Sequence, residues 1–437
     1  FLVHNRDIVL RADDSIVRLI NDKMVVFRRS RGFVPAAFKL NPVNLSSIDA
    51  NEKTPASKTS DDAVTSIVGT GGDLKNAIAI LKGNQVVLGP HVGDLASPIA
   101  QDYFKRSLGV LKDYLDVTPG CLAFDPHSEY FSSQLPLRSD MLATPVFHHH
   151  AHAVSLLVEH DIKAPTLFAV FDGTGYGTDG TIWGGEFLIA DRKSFERIGH
   201  FSLFPLPGAE SAIKEPARIL AGLLWSAYGN NIPLQLTDLL QTCSNKAKFW
   251  IESVKKGFNA PMTSSAGRLF DAAAVLAGFR RRVTYESQAS MWFEGLADPA
   301  EDGRYETTIS EGEVIRIDSA ALIRSMADDT LSGTGSSILS ARFHNSMAGI
   351  VADVLELAAK KSGIDTVGLS GGCFQNRMLT EKSVELLGAK GLRILTHERV
   401  PPNDGGIAVG QVACAFETLH SGGDAKSDEK MHRKLRI

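Results

Sequence analysis

Cysteine is scarce in this chain and never paired along the sequence. The four present, Cys121, Cys243, Cys373 and Cys414, include no CxxC, which argues against zinc ribbons, thioredoxin-like redox motifs and a disulfide framework. Reduced thiols are the expectation. No apolar run approaches the ~18 residues needed to cross a bilayer, and His4, Arg6, Asp7 and Arg11 make the N-terminus too charged for a signal peptide. A cytoplasmic protein without a membrane partner is therefore expected. Excess charge of one sign is missing as well: 46 Lys+Arg against 50 Asp+Glu leave a net charge of -4, so no bulk attraction to nucleic acid is expected. Walker A, serine-elbow and HExxH patterns are also absent, which removes three common catalytic signatures. What remains, 43% hydrophobic and 22% charged residues over 437 positions, suits a globular protein of two or three domains.

Residues 1–40 read as short strands and turns, with Ile8-Val9-Leu10 and Met24-Val25-Val26-Phe27 as apolar runs. They are too few to bury a core alone. Arg28, Arg29 and Arg31 form a basic knot that is either a solvated edge or an anion contact. Residues 41–63, rich in Asn, Ser, Thr, Pro and Asp, read as a linker, and 421–437 as a polar tail. Between them the pattern repeats itself. A meander of strands near 65–68, 77–80 and 85–88 precedes a helix over 97–115 and a strand at 121–124; a second meander at 166–171, 181–183 and 186–190 precedes helices over 214–279. Two similar α/β lobes, about 64–147 and 148–420, would face each other across a cleft with their glycine turns pointing into it.

The chemistry is concentrated in a few short stretches. His148 and His152 in His148-His-His-Ala-His152 are spaced to share one helix face and one metal ion. The strand Thr166-Leu-Phe-Ala-Val-Phe171 runs into Asp172, a hard carboxylate at a strand end and a third candidate ligand. Asp404, in Asn403-Asp404-Gly405-Gly406, is either the N-cap of a tight turn or the fourth. His149 and His150 are expected to pack around the ligands or orient them. Gly175-x-Gly177-x-x-Gly180 matches a dinucleotide fingerprint on paper but leads into a strand rather than a helix, so that reading is rejected. The glycine turn 172–180 could still cradle a phosphate through its amides, or be an ordinary hairpin turn. Ser370-Gly371-Gly372, between the strand 366–369 and a helix beginning near Asn376, is a second candidate cradle. Asp271, one turn into the helix opened by Gly267, could accept ribose hydroxyls.

Together the segments His148-His-His-Ala-His152, Asp172-Gly-Thr-Gly-Tyr-Gly-Thr-Asp-Gly-Thr-Ile-Trp-Gly-Gly-Glu186, Gly267-Arg-Leu-Phe-Asp271, Tyr285-Glu-Ser-Gln-Ala-Ser-Met291, Leu369-Ser-Gly-Gly-Cys-Phe-Gln-Asn-Arg377 and Pro402-Asn-Asp-Gly-Gly406 resemble the HypF-type hydrogenase-maturation carbamoyltransferases. The resemblance runs from about 64 to 418. It implies a two-lobed α/β fold of the actin/sugar-kinase/Hsp70 (ASKHA) type, with residues 1–40 similar to the end of a YrdC-like α/β domain placed before it; antibiotic and nodulation O-carbamoyltransferases place that domain after.

It further implies a divalent metal, iron or zinc, on His148, His152, Asp172 and Asp404, with His148, His152 and Asp172 catalytic. Carbamoyl-adenylate contacts fall on Gly173, Gly175, Gly371, Gly372 and Asn376, and ribose contacts on Asp271 and Gly267. The implied reaction moves the carbamoyl group of carbamoyl-adenylate, made from carbamoyl phosphate and ATP with Mg, to the C-terminal cysteine of HypE. Because that thiol is external, Cys373 is expected only to pack. The family's acylphosphatase domain, zinc fingers and most of its YrdC-like domain lie outside the match, and the chain begins with Phe1. A fragment, a split gene product or a degenerate paralogue is therefore expected. O-carbamoylation of a small hydroxyl compound and an inactive docking module are the alternative roles.

Overall fold

The computed structural model describes residues 5, 7–41 and 66–420. Most of the linker at 41–63, the tail at 421–437 and the first few residues of the N-terminal strip lie outside this range. Within it, the repeated pattern of the sequence becomes a repeated sheet. Ser66–Gly69, Ala79–Lys82 and Gln85–Leu88 form an antiparallel meander, and Cys121–Phe124 and Leu142–Pro145 extend it in parallel on the other side of Ser66–Gly69. In the second lobe Thr166–Tyr176, Ile182–Ala190 and Phe195–Phe201 make the meander, and Thr366–Ser370 and Arg393–Thr396 make the parallel extension. Each lobe thus runs third, second, first, fourth, fifth across the sheet. The inner parallel strands, Cys121–Phe124 and Thr366–Ser370, are buried almost throughout, as expected of a parallel strand covered on both faces.

Two helices lie between the sheets. His148–Glu159 is buried along its whole length despite four histidines, and Ile407–His420 packs against it while belonging to the same apolar cluster as Ile67, Leu81 and Val86 of the first sheet. The last of the described helices therefore completes the core of the first lobe. Their crossing is close because the residues there are small. A Cβ added at Gly410 would lie 2.0 Å from the carbonyl oxygen of Ala151, and one at Gly69 would lie 2.4 Å from that of Ala408.

Thr166–Tyr176 runs five residues beyond the Phe171 at which the sequence pattern ends it. Gly175 and Tyr176 still pair, with Trp183 and Ile182, and the register shifts between Trp183 and Gly185. Three residues, 172–174, consequently face a single residue, Gly184, in a bulge that re-aims Asp172. The N-terminal strands also take definite places. Ile16–Ile20 and Lys23–Arg28 form a hairpin whose turn residues, Asn21 and Asp22, both have positive φ, 49° and 58°, as a two-residue hairpin turn requires. Ala37–Lys39 pairs with Gln85–Leu88 as an edge strand of the first sheet. No helix among the described residues is long and apolar enough to cross a membrane.

The helix crossing sets a stability prediction with a built-in control. Gly410→Ala should lower the unfolding free energy by about 1–3 kcal/mol through overpacking. Gly109→Ala, in the helix Pro98–Leu115 with nothing within 4 Å of the added methyl, should raise it by about 0.5–1 kcal/mol. Urea denaturation of the two variants reads both signs; equal effects would contradict the packing account.

Candidate metal centre

His148 and His152 lie one helical turn apart on His148–Glu159, at the bottom of the cleft between the lobes. Asp172 reaches them from the bulge of Thr166–Tyr176, and Asp404 from the short 3-10 turn Asp404–Gly406 ahead of the last helix. One ligand atom from each of these four residues lies within 4.8 Å of the others, and all four are buried. His148 Nε2 is 3.2 Å from Asp172 Oδ2 and 3.9 Å from Asp404 Oδ1; His152 Nε2 is 3.7 Å from each of these carboxylate oxygens. Neither ring nitrogen of His152 has a hydrogen-bond partner. Buried polar atoms are rarely left so, and a cation between the four groups would give Nε2 its partner.

The protonation balance shows the same tension. Burial by itself would raise the Asp172 pKa, but the hydrogen bond with His148 and the neighbouring His152 ring outweigh it and hold the carboxyl well below its usual range. Asp404 goes the other way: burial first, then the charge of Asp172, pushes it up to about 7. Burial opposes a charge on His148, yet its bonds to Asp125 and Asp172 raise the ring well above its usual value. Two imidazoles and two carboxylates in one buried cluster are a donor set suited to a divalent transition metal.

Asp125 is the residue that the sequence reading missed. Its Oδ2 sits 2.8 Å from His148 Nδ1, the carboxylate–histidine arrangement that fixes tautomer and ring orientation at metal sites. The signal was available, because Asp125 follows the strand Cys121–Phe124 as Asp172 follows the apolar run at 166–171. His149 and His150 do not enter the cluster. His149 is buried against Trp183, with ring centroids 5.7 Å apart, and burial together with His148 holds it well below its usual pKa. His150 Nε2 meets the carbonyl oxygen of Asp191 at 2.8 Å. Asn403, rather than Asp404, caps the final turn by accepting the Gly405 N–H at 2.9 Å, which leaves the Asp404 carboxylate for the cluster.

Above the cluster the cleft is lined by Gly173, Gly267, Gly372 and Asn376 among the expected contacts, and by Lys75, Arg268, Glu286 and Cys373, for which no binding role was expected. Asn376 accepts the Leu379 N–H and meets His344 Nε2 at 2.8 Å. Gly175, Gly371 and Asp271 lie outside the lining. A Cβ at Gly175 would be 2.6 Å from His149 Cε1 and 2.8 Å from His148 Cδ2, and one at Gly371 would be 2.3 Å from the Phe171 carbonyl oxygen. These glycines let the ligand helix and the neighbouring strand come close. Asp271 is buried and paired with Arg268 at 2.9 Å.

A duplicated lobe of this strand order, with a buried two-histidine, two-aspartate cluster at the junction, defines a two-lobed protein of the ASKHA type with a candidate metal centre in its cleft. Two family models match in succession: the HypF Kae1-like domain over residues 62–159, and the second subdomain of the carbamoyltransferase Kae1-like domain over 168–411. The chain is 34% identical to the carbamoyltransferase HypF of Synechocystis over 95% of its own length and 53% of that relative. It is 33% identical to a HypF homolog of Cupriavidus necator over 79% of its length and 90% of that relative. It superposes on a full-length HypF crystallised in a phosphate- and nucleotide-bound form with a TM-score of 0.87, at 35% identity, covering 97% of this chain and 63% of that one. The chain belongs to the HypF carbamoyltransferase family. It spans about half the length of several of these curated relatives.

The centre predicts graded metal losses. His152→Ala should lose stoichiometric metal. Asp125→Asn, which keeps all four ligands, should bind metal about 10- to 100-fold more weakly. Elemental analysis combined with chelator competition separates the two, and full metal retention by His152→Ala would contradict the ligand set.

Proposed function

We propose that this chain transfers the carbamoyl group of carbamoyl-adenylate, formed from carbamoyl phosphate and ATP, to the C-terminal cysteine of a HypE-type acceptor in hydrogenase maturation. The observation that carries the reading is the buried cluster of His148, His152, Asp172 and Asp404 opening directly onto a cleft walled by both lobes, in a chain of this family. A full-length HypF of the same fold was crystallised in a phosphate- and nucleotide-bound form, which supports nucleotide use by a protein of this family.

A divalent cation held by the four ligands, iron or zinc, supplies Lewis acidity toward the carbamoyl carbonyl oxygen. The protein's own residues do the rest. Asp125 takes the Nδ1 side of His148 and leaves Nε2 free to serve as a donor atom. Asn376, steadied through its contact with His344, presents its amide at the cleft wall. The walls fix the adenylate so that the acceptor, as its thiolate, approaches the carbonyl carbon from above the carbamoyl plane. The new bond is sulfur to carbon. The broken bond is carbon to phosphate oxygen, and AMP leaves with the electron pair. Arg18 brings the N-terminal hairpin to the same cleft by pairing with Glu294 at 2.8 Å, which is consistent with residues 1–40 continuing a YrdC-like region that makes the adenylate with Mg.

Metal-loaded chain supplied with carbamoyl-adenylate and HypE should release AMP in step with a carbamoylated acceptor tail seen by mass spectrometry. His148→Ala should slow both by about a hundredfold or more. AMP release from metal-loaded protein with no modification of HypE would overturn the reading.

A further inference from the structure

The amides of the Gly371–Gly372 turn are already committed. Gly371 N–H donates to the Pro402 carbonyl at 3.1 Å, and Gly372 N–H donates to Asp172 Oδ1 at 3.1 Å. Neither glycine amide of that turn is free for a phosphate, and side chains supply the positive charge of the cleft. Besides Arg18 of the N-terminal hairpin, which is paired with Glu294, two cations reach the cleft, one from each lobe. Lys75 stands on the turn after Ser66–Gly69 with φ of 45°, a left-handed backbone uncommon for a residue carrying a Cβ. Its N–H is held by Asp94 Oδ1 at 3.0 Å. From there its ammonium group crosses the cleft to the Glu286 carboxylate of the second lobe. Arg268, on Ala266–Ala277, is only 6% exposed, and its buried Nε has no partner.

The two counter-ions differ in freedom. The Asp271 side chain opposite Arg268 is 4% exposed and locked in place, whereas the Glu286 side chain opposite Lys75 is 38% exposed. An incoming anion can displace Glu286 into water at little cost. It cannot so displace Asp271.

We propose that Lys75 and Arg268 form the anion subsite of this cleft, taking the phosphate of a nucleoside monophosphate or of its acyl anhydride, with Glu286 as the counter-ion that leaves when the phosphate arrives. This deepens the adenylate reading and rests on it. Lys75 then holds the negative charge of the leaving phosphate while Arg268 stays anchored to Asp271. Glu286 sets the selectivity: until an anion of sufficient charge replaces it, the lobes remain bridged by the Lys75–Glu286 pair.

The test is calorimetric titration of the metal-loaded chain with AMP and, separately, with adenosine, which lacks the phosphate. Lys75→Met should weaken AMP by about ten- to a hundredfold, the usual scale for a charge-assisted bond, and leave adenosine unchanged. Glu286→Gln should tighten AMP, again with adenosine unchanged. Wild-type protein that binds AMP alongside a Lys75→Met variant that binds it equally well would overturn the subsite and leave the adenylate reading standing. Loss of adenosine together with AMP in Lys75→Met, or weaker AMP binding in Glu286→Gln, would also overturn it. If the wild type binds neither compound, the adenylate reading falls and the subsite with it.

Discussion

Two carboxylates forced together in a buried pocket are the constraint on which the rest of this structure turns. At an effective dielectric of about 20, like unit charges ~4 Å apart repel by roughly 4 kcal/mol, and the protein does nothing to separate Asp172 from Asp404. It surrounds them with imidazoles instead, and the strain shows in Asp404, whose carboxyl is pushed up to about 7 by burial and by its neighbour. A cation at this point would remove the repulsion and give the unpartnered Nε2 of His152 a bond. The bulge at 172–174, the glycine-paced helix crossing and the Asn403 cap all serve to hold that crowding in place.

Duplication explains how residues so distant in sequence converge. Each lobe places its first strand at the centre of the sheet, so the ends of the two first strands and of the parallel strands beside them face a common cleft. Asp125 follows the fourth strand of the first lobe, Asp172 follows the apolar part of the first strand of the second, and Asp404 follows the second lobe's fifth. The helix carrying both histidines is the link between lobes, buried from both sides.

Much of this was legible before any coordinates. The HxxxH spacing, the strand running into Asp172 and the two meanders depend on local periodicity, which a sequence displays directly. Other features depend on contacts across the fold. Asp125 gave only the faint signal of an acid at a strand end, because its partner is 23 residues away on another element. Lys75 and Glu286 are separated by 211 residues and meet only when the lobes close on each other. Gly175 and Gly371 look like phosphate-loop residues along the chain; what only three dimensions show is that their missing side chains make room for His148, His149 and Phe171.

X-ray absorption spectroscopy at the edge of the bound metal addresses the central claim most directly. The account predicts a first shell of nitrogen and oxygen only, with the multiple-scattering signature of two imidazoles that is lost in His152→Ala. A sulfur ligand, or a shell without imidazole, would place the metal elsewhere and contradict it.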